Sequence, residues 1–326
     1  MRPSLDDLLA SAHVVSLPLT TRFRGIDVRE ALIMRGPNGA TEFSPFVEYD
    51  DAEAAVWLQA ALEFGWGDEP TPVRERIPVN ATVPAVPASG VAAVLGRYDG
   101  CRTAKVKVAE RGQILDDDVA RVREVRRLMG PEGRVRVDAN GGWNVDEAER
   151  AVHALAEFDI EYVEQPCASV DELAEYRRRT KYLGIPVAAD ESVRKASDPV
   201  AVAKAGAADL LIIKAQPLGG VRRALRIVEE AGLPVTVSSA LDTSVGLSLG
   251  AFLAASVPDL EFDCGLATAS LLAADVTEQP LRAHDGAIDV RRVDVSEALL
   301  DEHAASRERT AWWLDRLARC YAVLGA

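Results

Sequence analysis

The sequence predicts an α/β fold in which a (β/α)8 barrel of the TIM type carries a smaller α+β domain. Two observations support this. From about residue 77 the chain alternates short β-branched runs with amphipathic helices, and eight such units fill about 200 residues, the length of a barrel. Strands that alternate with helices pair in parallel. The first 76 residues and the last forty or so do not follow this alternation.

The eight predicted strands are short apolar runs that each end at a turn. They are "IPVNATV" (77–83), "TAKVKV" (103–108), "RVRVD" (134–138), "IEYVE" (160–164), "PVAAD" (186–190), "DLLIIK" (209–214), "PVTVSS" (234–239) and "LEFDC" (260–264). Several of the helices between them stop at Gly, as helix ends often do. An open doubly wound sheet is the alternative, but no GxGxxG follows a strand, so the best marker of a dinucleotide fold is missing.

The flanking segments predict a separate small domain. "VSLPLTTRFRGIDVREALIMRG" and "GATEFSPF" are typical of antiparallel strands, and "DDAEAAVWLQAALEFGW" is typical of a helix. The end of the chain, "SEALLDEHAASRERTAWWLDRLARCYAVLG", predicts a helical segment with a Leu and Trp packing face. We therefore divide the chain into an N-terminal capping part (1–76), a barrel with the catalytic site (77–279) and a C-terminal segment that completes both (280–326).

Composition narrows the classes of function. The 326 residues are 48% hydrophobic and 27% charged, with a net charge of −14, which argues against nucleic acid or an anionic membrane as a partner. The four cysteines form no CxxC pair, and no signal peptide is visible, so we expect a reducing cytoplasm. The four histidines lack metal-ligand spacing, so any metal would have oxygen ligands. The oligomeric state is not predicted.

Charged residues recur at the ends of four successive strands. Asp138 and Glu164 are 26 residues apart, Glu164 and Asp190 are again 26 apart, and Lys214 follows after 24. One βα unit has about that length, so these side chains would converge at the mouth of a barrel, where active sites of this fold lie. A single Asp after a strand is more often a helix cap, but three carboxylates together would repel one another strongly. A divalent cation removes that repulsion, and all-oxygen ligation suits Mg²⁺, with Mn²⁺ as a close substitute.

Two lysines share one face of the second predicted strand, "TAKVKV". Lys105 and Lys107 alone would indicate an edge strand with its lysines in solvent. In register with the acids, they would instead face the mouth, opposite Lys214. Burial and nearby positive charge should lower the pKa of a lysine there and make it a usable general base. A base beside a metal suits removal of a proton next to a carboxylate, with the metal stabilising the enediolate.

The motifs "KVK", "DAN", "EQP", "ADES" and "IIKAQPLGG", in this order, resemble the muconate-lactonizing subgroup of the enolase superfamily. The resemblance implies a modified barrel with a capping domain built from both termini. Within the subgroup, "RFRGIDVREALIMRGPNG…EFSPF", "PVNATVPA" and "SSALDTSVGL" are similar to the actinobacterial dehydratases of menaquinone biosynthesis. The implied activity is that of a carbon–oxygen lyase: syn-dehydration of 2-succinyl-6-hydroxy-2,4-cyclohexadiene-1-carboxylate to o-succinylbenzoate.

The resemblance also implies roles for the strand-end residues. Asp138, Glu164 and Asp190 would be the Mg²⁺ ligands. Lys107 would remove the α-proton and, as the ammonium, protonate the departing hydroxide. Lys214 would stabilise the enediolate from the opposite face.

Four further residues are candidates for supporting roles. Lys105 would either touch the substrate or only tune Lys107, and Asn140 would either reach the metal shell or shape a turn. Ser238 and Ser239 would offer donors to a substrate carboxylate, aided by the dipole of the helix that follows.

Two other functions stay open at this point. An N-acylamino acid racemase or a cycloisomerase would use the same motifs, although "DCGLAT" (263–268) lacks the DxD pair of dipeptide epimerases. A non-catalytic metal-binding barrel is the alternative outside enzymes. The cap departs from the resemblance, because Gly39-Ala40-Thr41-Glu42 replaces Gly-Trp-Gly-Glu and the loop between Leu19 and Arg24 is short.

Overall fold

The structure is a computed structural model that describes residues 2–68, 71–195 and 198–325. Its strands are β1 (His13–Phe23), β2 (Ile26–Gly36), β3 (Gly39–Phe43), β4 (Arg76–Pro78), β5 (Ala81–Val83), β6 (Thr103–Lys107), β7 (Arg134–Asp138), β8 (Ile160–Glu164), β9 (Val187–Ala189), β10 (Leu210–Ile213), β11 (Val235–Val237) and β12 (Ala287–Asp289). Its α-helices are α1 (Leu5–Ser11), α2 (Asp51–Trp66), α3 (Val91–Leu95), α4 (Leu115–Met129), α5 (Val145–Leu155), α6 (Val170–Thr180), α7 (Glu191–Arg194), α8 (Ala201–Lys204), α9 (Val221–Ala231), α10 (Ser244–Ser256), α11 (Glu297–Glu302) and α12 (Arg307–Gly325).

The capping domain is a three-stranded antiparallel sheet covered by helices. Strands β1, β2 and β3 are neighbours in that order, and β1 and β2 form a long hairpin whose turn is Arg24-Gly25. Both turn residues have positive φ, as a two-residue turn of type I′ requires. Helix α12 packs against α2, so both ends of the chain build one apolar cluster. Trp313 is fully buried there, as the packing face predicted.

Seven parallel strands form the barrel sheet, in the order β11-β10-β9-β8-β7-β6-β5. Parallel pairing agrees with the prediction, and the helices α4, α5, α6 and α9 lie between successive strands along the chain. The register sets neighbouring strand ends side by side: Lys107 is paired with Asp138, and Asp138 with Glu164. This register is what carries the charged side chains to the same end of the barrel.

Two predicted strands are wrong in detail. Residues 77–83 form two strands, and β4 pairs with β12 in a separate two-stranded sheet. The predicted eighth strand, 260–264, is reduced to parallel bridges made by Cys264 and Gly265, which close the gap between the first and seventh barrel strands. The physical reason is the carbonyl of Asp263, which accepts from the side chain of Arg136 (2.6 Å), so that backbone pairing is confined to Cys264 and Gly265.

Within the described ranges, no helix combines the length and the apolar character needed to cross a membrane.

Candidate active site

The structure brings the sequence-predicted charged residues together at the carboxyl ends of the barrel strands. Lys107, Asp138 and Glu164 are the last residues of β6, β7 and β8, and Asp190 and Lys214 directly follow β9 and β10. All but Lys107 are buried, and the Lys107 side chain is only 12% exposed. The equivalent placement on successive strands, inferred from spacing alone, is therefore observed.

Lys105 lies within the cluster of acids. Its Nζ atom donates to both oxygens of Glu164, at 2.9 and 3.0 Å, and lies 3.2 Å from Oδ2 of Asp138. Burial lowers the pKa of Lys105, but the charges of Glu164 and Asp138 outweigh burial and raise it. Lys105 is consequently a fixed positive charge, which is the opposite of what a general base requires.

Lys107 has a different environment, although it is only two residues away. Its Nζ atom donates to Oδ2 of Asp138 (2.5 Å) and to Oδ1 of Asn140 (2.6 Å), and it lies 5.5 Å from the ring centroid of Phe23 in the cap. Burial lowers the pKa of Lys107, and Asp138 offsets this only in part. Of the two lysines, Lys107 is the one whose environment favours the neutral amine.

Two of the acids, Asp138 and Glu164, have pKa values that shift in opposite directions. Burial opposes ionisation of Asp138, yet the charges of Lys107 and Lys105 hold its pKa well below the usual range. Burial, followed by the charge of Asp138, raises the pKa of Glu164 to about 8. Glu164 is therefore the least easily ionised of the three acids, as expected where several carboxyl groups are crowded together.

Asp190 and Lys214 occupy the other side of the mouth. Lys214 Nζ donates to Oδ2 of Asp190 at 2.6 Å, and Nε of Arg194 donates to Oδ1 at 3.1 Å. Burial opposes ionisation of Asp190, but Lys214 and Arg194 outweigh it and lower the pKa of Asp190. Lys107 and Lys214 thus each contact a different aspartate.

The predicted serines line the cavity between cap and barrel, but they differ in their bonding. Ser239 Oγ donates to the carbonyl of Gly265 (2.8 Å) and shares a hydrogen bond with Thr268 Oγ1 (2.8 Å). Ser238 Oγ is 3.5 Å from the same carbonyl, at the limit of a hydrogen bond. Ser238 therefore has the freer hydroxyl.

Helix α10 follows Ser238 and Ser239, and the expectation that its N-terminus is directed at the substrate is not supported. Backbone amides at the start of α10 donate to two buried carboxylates. Glu42 accepts from Thr243 and Gly246, at 3.1 and 2.9 Å, and Asp275 accepts from Ser244 at 3.2 Å. Those donors are already satisfied, because Glu42 from the capping domain accepts hydrogen bonds at the N-terminus of α10.

The cap covers the charged cluster with aromatic residues and one arginine. Phe23 and Arg24 from the β1–β2 turn, with Phe46 and Trp57, line the same cavity as Lys105, Lys107 and Lys214. The guanidinium of Arg24 stacks over the ring of Phe46 at 4.0 Å. The turn between β1 and β2, although short, therefore reaches the barrel mouth.

The carboxylates Asp138, Glu164 and Asp190 have the donor atoms that a divalent cation prefers. All three are buried on neighbouring strands and offer only oxygen donors, the set that Mg²⁺ prefers. Lysine ammonium groups contact each of them, so the negative charge of the three carboxylates is already balanced in part by positive charge. Within the described residues, Asp99, His284 and Asp285 form the one group of three whose possible ligand atoms all lie within 4.8 Å of one another; they are exposed, with Asp99 before β6 and the other two before β12.

Comparison with known proteins agrees with this architecture. Residues 90–293 match the family described as "Enolase C-terminal domain-like", and residues 14–65 match "Enolase N-terminal domain-like". The 2-chloromuconate cycloisomerase from Rhodococcus opacus 1CP superposes with a TM-score of 0.76 at 26% identity, covering 91% of this chain and 98% of that one. The muconate lactonizing enzyme from Pseudomonas putida, at 20% identity and a TM-score of 0.73, shares the fold. The fold and the site thus define an enolase-superfamily barrel.

Curated relatives narrow the family. The chain is 56% identical over 316 residues to o-succinylbenzoate synthase from Thermobifida fusca (strain YX), with 96% of each chain covered. It is 51% identical to the enzyme of that name from Mycolicibacterium smegmatis, with 99% of this chain and 98% of that one covered. The chain therefore belongs to the o-succinylbenzoate synthase family of the enolase superfamily, and it is a lyase.

Sequence reasoning missed Arg194 and its partners Glu191 and Tyr49. Arg194 follows Asp190 by four residues, a helical spacing that allows an ion pair, and this signal was available in "ADESVR". The contact with Tyr49 (3.0 Å) was not available, because it joins the cap to the barrel across 145 positions.

Proposed function

We propose that this protein catalyses the Mg²⁺-dependent syn-dehydration of 2-succinyl-6-hydroxy-2,4-cyclohexadiene-1-carboxylate to o-succinylbenzoate, a step of menaquinone biosynthesis. The observation that carries the proposal is the position of Lys107, whose amine lines the cavity, donates to Asp138 at 2.5 Å and has a pKa that burial lowers. The identity of 50% or more to several o-succinylbenzoate synthases supports the choice of substrate. Lys107 and Lys214 line the cavity and would attract a small carboxylate ligand, whereas the net charge of −14 argues against a nucleic-acid or anionic-membrane partner. We expect the enzyme to work in the cytoplasm.

In this proposal Asp138, Glu164 and Asp190 hold Mg²⁺, which supplies the positive charge that stabilises the enediolate form of the substrate carboxylate. Lys107 Nζ, as the neutral amine, takes the proton from the carbon next to that carboxylate. The C–O bond to the leaving hydroxyl then breaks, and the Lys107 ammonium gives the same proton to the hydroxide. Water leaves, the ring becomes aromatic, and Lys107 is neutral again. Because one residue serves both steps, the elimination is syn.

Two other lysines support this chemistry with charge. Lys105 holds Glu164 and Asp138 in place and stays protonated, because their charges raise its pKa. Lys214, bonded to Asp190, presents an ammonium on the other side of the cavity, where negative charge develops. Asn140 accepts from Lys107 and orients its amine. Ser238 is proposed to donate to a carboxylate of the substrate, and Ser239 to hold the wall of the cavity.

Turnover of the purified protein tests the proposal. Loss of substrate and appearance of the aromatic product are followed by ultraviolet absorbance, with Mg²⁺ and with excess chelator. We expect Lys107→Ala to lower kcat by 10²–10⁴, the usual contribution of general acid–base catalysis. The exposed Lys204→Ala is the matched control and should keep wild-type turnover. Absence of turnover by the wild type, or full turnover by Lys107→Ala, contradicts the proposal.

A further inference from the structure

The guanidinium of Arg194 is buried where the barrel mouth meets the cap. It ends the short helix α7, and only 5% of its side chain is exposed. Each of its three nitrogens has a different partner. Nε donates to Oδ1 of Asp190 (3.1 Å), Nη2 to Oε1 of Glu191 (2.6 Å) and Nη1 to the hydroxyl of Tyr49 (3.0 Å). A planar fork that donates to three partners in this way fixes the orientation of all three groups.

Through Asp190 and Glu191, Arg194 is connected to both lysines of the proposed mechanism. Asp190 accepts from Arg194 at Oδ1 and from Lys214 at Oδ2. By binding Oδ1, Arg194 fixes the orientation of the carboxylate and leaves Oδ2 for the lysine. Glu191 Oε1 also accepts from Nδ2 of Asn140 (3.3 Å), whose Oδ1 accepts from Lys107. The other oxygen of Glu191 is buried and has no hydrogen-bond partner among residues 2–68, 71–195 and 198–325.

The third contact ties this network to the cap. Tyr49 packs against Phe46 and Trp57, with ring centroids 5.7 and 6.1 Å away, and both of these rings line the substrate cavity. The backbone carbonyl of Tyr49 accepts from Arg316 of α12 at 2.5 Å, which anchors the loop to the C-terminal helix. The hydroxyl of Tyr49, which accepts from Arg194, is therefore held in a fixed position by the cap.

Arg194 supplies positive charge to two neighbouring acidic side chains at the mouth. Asp190 shares Arg194 with Lys214 as a second cation, whereas Glu191 accepts from Arg194 and from the neutral amide of Asn140. Without Arg194, the buried Asp190 keeps Lys214 as a partner, and Glu191, whose side chain is 19% exposed, keeps only the amide of Asn140 among the described residues. A poorly paired carboxylate in this position turns away or takes up a proton. At Asp190, either response would turn an oxygen ligand proposed for Mg²⁺ away from the cation or protonate it.

From this geometry we infer that Arg194 is a positioning residue that holds Asp190 ready for the divalent cation and links the cap to the two lysines. The inference rests on the proposed function only for its kinetic readout. Its direct readout is the affinity for Mg²⁺, which calorimetry measures without turnover. Residues that orient metal ligands typically change metal affinity or activity by 10–100-fold when they are replaced.

Four variants test the inference. We expect Arg194→Gln to raise the Kd for Mg²⁺ and to lower kcat, each by about 10–100-fold. Arg194→Lys keeps the charge but not the fork, and should recover only part of both losses. Tyr49→Phe removes one of the three partners and should move both quantities in the same direction by less than about tenfold. Arg177→Gln removes an arginine–aspartate pair outside the mouth, with Asp209, and should leave both quantities unchanged.

The outcomes separate this inference from the proposed function. A folded Arg194→Gln with wild-type Mg²⁺ affinity and kcat overturns it, and so does a variant that loses only melting temperature. If Arg194→Gln does not fold, Arg194→Lys and Tyr49→Phe decide in the same way. If the wild type binds Mg²⁺ but turns over no substrate, the proposed function fails while the binding arm still tests Arg194.

Discussion

Lys105 places its ammonium between the two oxygens of Glu164, 2.9 and 3.0 Å away, at the centre of the acidic cluster. The contact explains why a strand of this barrel carries two lysines on one face. Lys105 supplies permanent positive charge to the carboxylates, and Lys107, two residues later, is left with the lowered pKa. Neither lysine is the solvent-facing edge protection that the strand alone would indicate.

Binding of Mg²⁺ should release a proton from Glu164. Burial and Asp138 raise the pKa of Glu164 to about 8, whereas a metal ligand must be ionised. We therefore expect the affinity for Mg²⁺ to rise up to about tenfold per pH unit below pH 8 and to level off above it. Calorimetry at pH 6.5, 7.5 and 8.5, repeated in buffers of different ionisation enthalpy, measures both the affinity and the proton.

Two variants complete that measurement. Glu164→Gln should bind Mg²⁺ weakly and lose the dependence on pH, while Glu157→Gln, at an exposed position, should behave as the wild type. An affinity that stays constant from pH 6.5 to 8.5 would show that Glu164 is already ionised when the metal arrives.

The two serines after β11 should respond differently to replacement. Ser239 Oγ donates to Gly265 and contacts Thr268, so its hydrogen is committed, whereas Ser238 Oγ has only a long contact. We expect Ser238→Ala to raise KM by about tenfold or more, as for loss of a hydrogen bond to a charged group, with little change in kcat. Ser239→Ala is the matched comparison and should change KM by less than about threefold. Steady-state kinetics decide, and equal effects would contradict the assignment.

The sequence predicted the parts of this site that follow from strand register. Asp138, Glu164 and Asp190 recur at the length of one βα unit, so their convergence needs only the barrel topology. The prediction of the eighth strand failed because the fully buried Arg136 donates a hydrogen bond to the carbonyl of Asp263. No local sequence pattern shows this contact. Arg194 was missed for a related reason: its environment depends on how the cap meets the barrel.

Gly246 should not tolerate a methyl group. It lies in the first turn of α10, where a Cβ atom would come within 2.8 Å of Glu42 Oε2 and within 2.7 Å of Gln216 Nε2. We expect Gly246→Ala to lower the free energy of unfolding by about 1–3 kcal/mol through overpacking. Gly250→Ala, in the same helix, would meet only the end of the Leu266 side chain and should stay within about 1 kcal/mol of the wild type. Urea denaturation measures both.

Asp242 should destabilise the fold as the pH rises. It is 4% exposed, and one of its oxygens has no hydrogen-bond partner in the part of the chain that the structure describes. Burial, followed by the charge of Glu42, raises the pKa of Asp242 to about 7, against about 3.9 in an unfolded chain. Between these two values the folded state holds the proton that the unfolded state has lost, so the contribution of Asp242 to stability falls as the pH rises from about 4 to about 7.

Asp242→Asn should remove this contribution. At pH 8 we expect the variant to be more stable than the wild type by about 1–3 kcal/mol, the usual penalty of a poorly satisfied buried polar group, and at pH 4 the two should be equal within about 0.5 kcal/mol. Asp259→Asn, at an exposed position, is the control and should show no such difference at either pH. Urea denaturation at pH 4, 6 and 8 gives the free energies. A gain from Asp242→Asn that is equal at all three values would mean that Asp242 does not titrate in this range, and that the amide stabilises the loop in another way.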